Sequence, residues 1–138
     1  MKPDDRLPLP EDVSPARREY EASGGLEIFL SFEVEWKDAL VGYARLRRPS
    51  ADAHREEVRG SGIIRELKVF GPMVPIGKNA LHEWQHRGYG GKLMDLAASI
   101  VKDEWGLDRI IVTSGIGARE YYRRLGYKRL GPYMSREL

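Results

Sequence analysis

Apolar and polar positions alternate along residues 26–34, and this period of two predicts a β-strand. Residues 39–46 form a second predicted strand, joined to the first by a hairpin through residues 35–38. The polar stretch 49–60 predicts a loop, and the branched side chains of residues 63–70 predict a third strand. The first half of the chain is therefore expected to form a sheet.

A helical period appears after residue 87. Residues 71–87 contain prolines and glycines and predict a long irregular connection, which in ordered proteins is often functional. Beyond it, apolar residues recur at spacings of three and four and predict a helix that stops near Gly106: Leu93, Leu96, Ala97, Ile100 and Val101.

The remaining elements alternate between strand and helix. A short buried strand is predicted at residues 109–113, and a last strand at residues 127–134. Between them, a helix ended by Gly126 is predicted from the apolar spacing of Ala118, Tyr121, Tyr122 and Leu125. This order of elements predicts a mixed α/β domain.

The N-terminal residues have a different composition. Residues 1–20 contain four prolines and many charges, which predicts an extended arm or linker, with the folded domain at residues 21–138. The start of the chain lacks the apolar stretch of a signal peptide, and no apolar run is long enough for a bilayer. We therefore expect a cytoplasmic protein that does not enter a membrane.

Composition excludes several kinds of chemistry. The sequence has no cysteine, so disulfides, thiolate metal sites and cysteine-ligated iron–sulfur clusters cannot form. The net charge is only +2, which by itself says little about a polyanionic partner. The distribution of the charges along the chain is more informative than their sum.

A glycine-rich turn at residues 85–92, Gln-His-Arg-Gly-Tyr-Gly-Gly-Lys, separates the third strand from the first helix. The first amides of a helix have no acceptor inside it, and glycine lets a ligand approach the backbone closely, so this turn is a candidate anion site. It matches neither a P-loop nor a dinucleotide-binding fingerprint. The alternative is that the glycines only cap the helix.

Two motifs in this order resemble the GNAT acetyltransferase family. Gln85-x-x-Gly88-x-Gly90 is similar to the family's Gln/Arg-x-x-Gly-x-Gly/Ala signature, and Ala118, Tyr121, Tyr122 and Gly126-Tyr127 are similar to its second-helix motif. Gly115 stands where the family often has asparagine, so that contact is missing or replaced. The resemblance implies an α/β GNAT fold, with a mixed, mostly antiparallel sheet and flanking helices.

The resemblance also implies a cofactor, acetyl-CoA, and residues that bind it. Backbone groups of the third strand would meet the pantetheine arm, and amides of the glycine turn would hold the pyrophosphate. Tyr122 would protonate the departing thiolate, with Tyr121 beside it as a second catalytic candidate, although Tyr122 could instead be a core aromatic. The implied cofactor-binding residues are Leu67, Lys68, Val69, Gln85, His86, Arg87, Gly88, Tyr89, Gly90, Gly91, Lys92 and Tyr122.

From about residue 17 onward the chain is also similar to the C-terminal half of the Elongator catalytic subunit family (the third Elongator protein). Segments that carry this similarity include residues 18–25, 64–71, 114–117, 121–127 and 131–134. That family modifies the wobble uridine of tRNA with a radical S-adenosylmethionine domain and an acetyl-CoA domain. This implies tRNA, a radical domain or Elongator-type subunits as partners, but without cysteine the chain cannot perform the radical step itself.

Two alternatives to that function stay open. The chain could be a stand-alone GNAT enzyme that acetylates an amine of a protein or small molecule. It could also be a non-catalytic module that binds RNA or partner subunits.

Basic residues near tyrosines are consistent with binding to RNA, in which phosphate contacts and aromatic stacking act together. The alternative is an ordinary solvated surface. The candidates are Arg45, Arg47, Arg48, Arg119, Arg123, Arg124 and Lys128.

His82-Glu83-Trp84-Gln85-His86 matches the His-Glu-x-x-His motif of zinc proteases. That motif works only on a helix, which brings both histidines to one face. The nearby Pro75, Gly88 and Gly90 disfavour such a helix, so no metal site is expected here.

Overall fold

A computed structural model of the chain describes residues 10–50, 58–70, 88–114 and 116–138. Its centre is one seven-stranded sheet in the order β1-β2-β3-β4-β5-β7-β6. The strands are β1 (Ser14–Ala22), β2 (Gly25–Val34), β3 (Ala39–Arg48), β4 (Ser61–Val69), β5 (Arg109–Thr113), β6 (Lys128–Leu130) and β7 (Tyr133–Glu137).

Among these strands, β4 and β5 form the one parallel pair, and the other neighbours are antiparallel. A parallel pair needs a crossover connection, and here it contains the first helix. The β4–β5 ladder runs from Ser61 opposite Arg109 to Ile64 opposite Val112. Beyond Ile64, β4 continues to Val69 while β5 ends at Thr113, so the two strands part.

Two α-helices accompany the sheet in the described residues. Helix α1 (Tyr89–Ser99) continues into a π-helical turn at Ile100–Glu104, and helix α2 (Arg119–Arg124) follows a 3₁₀ turn at Ile116–Ala118. Further 3₁₀ turns lie at Pro10–Asp12 and Glu35–Lys37. Neither described helix has the length and apolar character needed to cross a membrane.

One continuous core fills the space between the sheet and these helices. It includes Leu93 and Ala97 of α1, Tyr122 of α2, and strand residues such as Leu46 and Val112. Because side chains alternate along a strand, the neighbours of these strand residues lie on the opposite side of the sheet. We call that side the outer face; it carries Glu27, Phe29 and Tyr43 of β2 and β3, and Ile63 and Thr113 of β4 and β5.

The predicted strands in the first half, the hairpin at residues 35–38, the strand at 109–113 and the two helices are all found near their expected positions. Within α1 one residue departs from the expected apolar face: Leu96 is largely exposed, whereas Leu93, Ala97, Ile100 and Val101 are buried.

The structure differs from the predicted arm at residues 1–20. Residues 14–22 form strand β1, which pairs along its whole length with β2 through a short turn at Ser23-Gly24. β1 is an edge strand, a place where Pro15 is tolerated. Arg17 also ties it to the end of the first helix, donating bonds of 2.7 Å to both carboxylate oxygens of Glu104.

The last predicted strand, residues 127–134, is instead two strands. The chain turns at Gly131-Pro132, where Gly131 has a φ of 58°, so that β6 and β7 form a hairpin. Proline cannot donate a ladder hydrogen bond, and a positive φ suits glycine, which explains the break at this point.

Candidate functional site

Helix α1 begins with backbone amides that its own sequence leaves uncapped. Its N-cap residue is Gly88, with φ 70° and ψ 32°, and no side chain among the described residues caps the helix. The bond from Lys92 N to Gly88 O, at 2.9 Å, opens the helical ladder, so the amides of Gly90 and Gly91 have no acceptor inside the helix. A Cβ added at Gly88 or Gly91 would meet no atom of the described residues within 4 Å.

Gly90 is packed closely, unlike Gly88 and Gly91. A Cβ at this position would lie 2.5 Å from the hydroxyl oxygen of Tyr121 and 3.5 Å from a methyl carbon of Val69. The start of α1 therefore touches α2 through Tyr121 and touches β4 through Val69. Glycine at position 90 is what allows these three elements to meet.

Strands β4 and β5 diverge next to this junction of α1, α2 and β4 at Gly90. Leu67, Lys68 and Val69 lie beyond the last β4–β5 pair, although all three still pair with β3 on their other side. In the described residues no strand pairs with the β5-facing edge of this segment. Its backbone groups on that edge can therefore pair with an extended ligand, as an edge strand does.

Ser114 follows β5 at the same place, and its hydroxyl is buried without a hydrogen-bond partner among the described residues. In the sequence this position stood out only as part of the segment 114–117, which is similar to the Elongator catalytic subunit family. A buried hydroxyl of this kind calls for an explanation, and a ligand in the gap between the strands would supply one.

Three tyrosines form an aromatic group behind the gap. The ring centroids of Tyr121 and Tyr122 are 5.2 Å apart, and those of Tyr122 and Tyr127 are 6.0 Å apart, both with edge-on geometry. Tyr122 and Tyr127 are buried in the core, whereas Tyr121 is 37% exposed. Burial raises the pKa of Tyr121; burial and then the neighbouring Tyr121 raise that of Tyr122.

The remaining predicted cofactor residues have different positions. Gln85, His86 and Arg87 lie outside the described residues. The ring of Tyr89 is buried against Phe32, with centroids 5.2 Å apart, so its side chain serves packing. The exposed Lys92 lies with its Nζ 5.0 Å from the centre of that ring and brings positive charge to the first turns of α1.

The predicted RNA-binding residues do not share one surface. Arg45 and Arg47 lie on the outer face, and Arg48, next along β3, points to the other side. Arg47 is largely buried and contacts Glu27 and the carbonyl of Ala22. Arg119, Arg123 and Arg124 lie on α2, and Lys128 lies on β6.

No group of acidic or histidine side chains in the described residues could hold a metal ion. His82 and His86 of the protease-like motif lie outside those residues.

A buried charge cluster on the outer face was missed by the sequence reasoning. Glu27, whose side chain is 3% exposed, accepts hydrogen bonds at its Oε1 from Arg47 at 3.2 Å and from Arg65 at 2.8 Å. Its other oxygen, Oε2, is buried without a partner among the described residues. These residues come from three strands, so only the register of the sheet brings them together.

In this sheet the one parallel pair of strands diverges, and a glycine-rich helix start without a side-chain cap lies beside the gap. This arrangement defines an acetyltransferase of the GNAT type. The model of the acetyltransferase (GNAT) family matches residues 2–127, and the chain belongs to that family.

Within this family the chain is most informatively compared with individual proteins of high sequence identity. The chain is 49% identical over 133 residues to a protein named tRNA uridine(34) acetyltransferase from Methanocaldococcus infernus, covering 96% of this chain and 25% of that protein. It is 45% identical over 130 residues to Elongator complex protein 3 of Danio rerio, covering 94% and 24%. The chain thus spans about a quarter of the length of these curated relatives.

Solved structures agree with this similarity. The archaeal Elp3 of Methanocaldococcus infernus, with an N-terminal deletion, superposes with a TM-score of 0.84 at 48% identity, covering 96% of this chain and 32% of that one. A GNAT acetyltransferase from Staphylococcus aureus has a TM-score of 0.58 at 18% identity, covering 84% and 69%, which supports the fold alone.

Proposed function

We propose that this chain is an acetyl-CoA-binding acetyltransferase domain that serves the modification of a tRNA wobble uridine. The observation that carries the proposal is the junction at Gly90, where an uncapped helix start lies beside the gap between β4 and β5. The similarity to tRNA uridine(34) acetyltransferases and Elongator complex protein 3 supports the choice of acceptor.

The residues at this junction fit acetyl-CoA. The amides of Gly90 and Gly91, together with Lys92, suit an anion such as the pyrophosphate, and no atom of the described residues crowds Gly88 or Gly91. A helix dipole contributes only ~0.3–1 kcal/mol, whereas micromolar binding needs about 8 kcal/mol. Several charge-assisted hydrogen bonds of ~1.5–3 kcal/mol each must therefore act together. Gln85, His86 and Arg87 are the predicted additional contributors.

The edge of β4 at Leu67, Lys68 and Val69 supplies the second part of the site. Backbone groups there can pair with the amides of a pantetheine arm in the manner of an added strand. The buried hydroxyl of Ser114 lies at the end of β5 and can form a further hydrogen bond in the same gap.

When bound, acetyl-CoA supplies the acetyl group as a reactive thioester. Tyr121 is the better placed of the two predicted tyrosines to supply a proton to the departing thiolate, since its hydroxyl lies at the Gly90 junction and its side chain is partly exposed. Because burial raises the pKa of Tyr121, its hydroxyl stays protonated at neutral pH and is available as a donor. Tyr122 packs behind it and orients it.

The test is a calorimetric titration of the 138-residue chain with acetyl-CoA. We expect saturable binding, and we expect it to weaken at least tenfold when Lys92 is changed to Glu, because that change reverses the charge beside the helix start. Lys102→Glu on the π-helical turn makes the same charge change elsewhere and should leave binding unaltered. Absence of binding at millimolar acetyl-CoA would refute the proposal.

Partners and location stay predictions. A tRNA substrate, a radical domain and Elongator-type subunits fit the relatives, each of which is about four times as long as this chain. A cytoplasmic location is consistent with such partners.

A further inference from the structure

A pocket opens on the outer face where β4 and β5 part. Its volume is about 420 Å³, within the range of ~300–1,000 Å³ that is usual for small-molecule sites. The polar side chains that line it include those of Glu27, Arg47, Arg65 and Thr113. Ile63 of β4 and Thr113 of β5 also line it, so an acceptor can approach the gap from this face.

Arg65 enters the pocket because β4 contains a bulge. In the β3–β4 ladder Arg45 pairs with Glu66 and Leu46 pairs with Ile64, so Arg65 is the extra residue. A bulge changes the direction of its side chain, and here Arg65 reaches Glu27 two strands away. The bulge also follows directly on Ile64, the last β4 residue paired with β5.

Glu27 holds Arg65 in place. The carboxylate is buried and is also bound by Arg47, which is fixed in turn by the carbonyl oxygens of Ala22 and Ser23. By contrast, the side chain of Arg65 is 49% exposed, and within the part of the chain that the structure describes it donates a hydrogen bond only to Glu27. Glu27 and Arg47 are thus held in place, and the other N–H groups of the Arg65 guanidinium face the pocket.

The charged groups of the pocket offer hydrogen-bond donors to a ligand rather than acceptors. Two arginines face one carboxylate, and both of its oxygens are out of reach, since Oε1 binds the arginines and Oε2 is buried. Uracil has a carbonyl oxygen where cytosine has an amino group, and a guanidinium can donate to the first but not to the second. Because phosphate and ribose are the same in every nucleotide, a contact at this position of the base distinguishes uridine from cytidine.

We propose that Arg65 is a specificity-determining residue that donates to the 4-carbonyl oxygen of the acceptor uracil, where cytosine has its amino group, and that Glu27 is the residue that positions it. The proposal rests on the proposed function, since it assumes a uridine acceptor brought to the acetyl group. It adds the residue that reads the base and the way in which that residue is held.

The experiment measures binding of the acetyl-CoA-saturated chain to two hairpin RNAs that differ only in uridine or cytidine at one loop position. For the unaltered chain we expect a uridine preference of about 5- to 150-fold, the range for one good base-reading contact. Arg65→Gln should reduce the ratio of the two affinities to about one, because it weakens binding of the uridine hairpin and leaves binding of the cytidine hairpin unchanged. Arg65→Lys should also lose most of it, because an ammonium group lacks the guanidinium's planar fork.

Glu27→Gln tests the positioning role. It keeps an oxygen acceptor but loses the charge, so we expect a smaller uridine preference while the cytidine hairpin binds as before. Thermal unfolding of the same preparation separates this effect from a general loss of structure. Arg18→Gln is the matched control, because Arg18 is an exposed outer-face arginine bound to another carboxylate, Glu33, away from the pocket. It should leave the preference intact.

Three results would overturn the inference. The first is an unaltered chain that binds acetyl-CoA but shows no uridine preference. The second is Arg65→Gln with a normal preference. The third is that Arg65→Gln weakens binding of both hairpins equally, which would show that Arg65 contacts a phosphate. Failure of the unaltered chain to bind acetyl-CoA would instead refute the proposed function itself.

Discussion

The hydroxyl oxygen of Tyr121 occupies the space that a side chain on Gly90 would need. A Cβ at position 90 would lie 2.5 Å from that oxygen but 3.6 Å from the ring carbon Cζ, which is an ordinary contact distance. The conflict therefore involves one atom, the Tyr121 Oη. This makes the contact between α1 and α2 testable with two small substitutions.

We predict that Gly90→Ala destabilises the unaltered chain by roughly 1 kcal/mol. The expected gain in helix propensity, about 0.5–1 kcal/mol, is outweighed by an overpacking cost of about 1–3 kcal/mol. In a Tyr121→Phe background the same change should instead stabilise the protein by up to about 1 kcal/mol, because the clashing atom is gone. Urea unfolding of the four proteins as a double-mutant cycle measures this reversal of sign. Equal effects in both backgrounds would contradict the contact.

A second prediction concerns the backbone at Gly88, which adopts φ 70° at the start of α1. Gly88→Ala should cost about 1–2 kcal/mol and weaken acetyl-CoA binding, because this left-handed conformation is unfavourable for a residue with a Cβ. Gly88→Asn should recover part of both losses, since asparagine tolerates the conformation better. Among the residues that the structure describes, no atom lies within 4 Å of the added Cβ, so a steric conflict with them does not explain the difference. Identical results for the two variants would exclude the backbone explanation.

The sequence predicts the local parts of this site and misses its long-range parts. The helix start at Gly88 and the tyrosine pair follow from short-range patterns, since glycine position and helical spacing need only a few neighbouring residues. The relative roles of Tyr121 and Tyr122 could not be predicted, because both fit a helix face and only packing shows which one is buried.

β1 and the Glu27 cluster were missed for different reasons. β1 has mostly exposed side chains and lacks a buried alternation, so its strand character comes from pairing with β2 and not from its own pattern. Glu27 and Arg65 are 38 residues apart, and a sheet register plus a bulge bring them together. Neither feature can be read from a local window.

A third prediction separates the two adjacent tyrosines. If the Tyr121 hydroxyl supplies the proton, Tyr121→Phe should lower the rate of thiol release from acetyl-CoA by about 10²–10⁴-fold, the usual range for a general acid. Tyr122→Phe should change that rate only a few-fold, because the Tyr122 ring is buried in the core. Acetyl-CoA affinity, measured in parallel by calorimetry, serves as the control for site integrity. A larger loss for Tyr122→Phe would reverse the assignment.

The fourth prediction concerns stability at alkaline pH. Burial is the main reason why the pKa of Tyr127 lies well above the usual value of about 10, and the Arg136 guanidinium only moderates this rise. The folded state then keeps a proton that the unfolded state loses. Below pH 10 both states keep the proton and the free energy of unfolding does not depend on this group's ionisation, whereas above pH 10 it declines as the pH rises.

Tyr127→Phe removes this contribution to the pH dependence. The hydroxyl is buried and makes no hydrogen bond of ordinary geometry among the described residues, so its removal at pH 7 should be neutral or slightly stabilising. Above pH 10 the unaltered chain should lose stability relative to the variant by up to about 1.4 kcal/mol per pH unit, the value for one proton. Urea unfolding of both proteins from pH 8 to pH 11 measures the difference. Parallel curves over this range would show that Tyr127 ionises equally in both states, contrary to its burial.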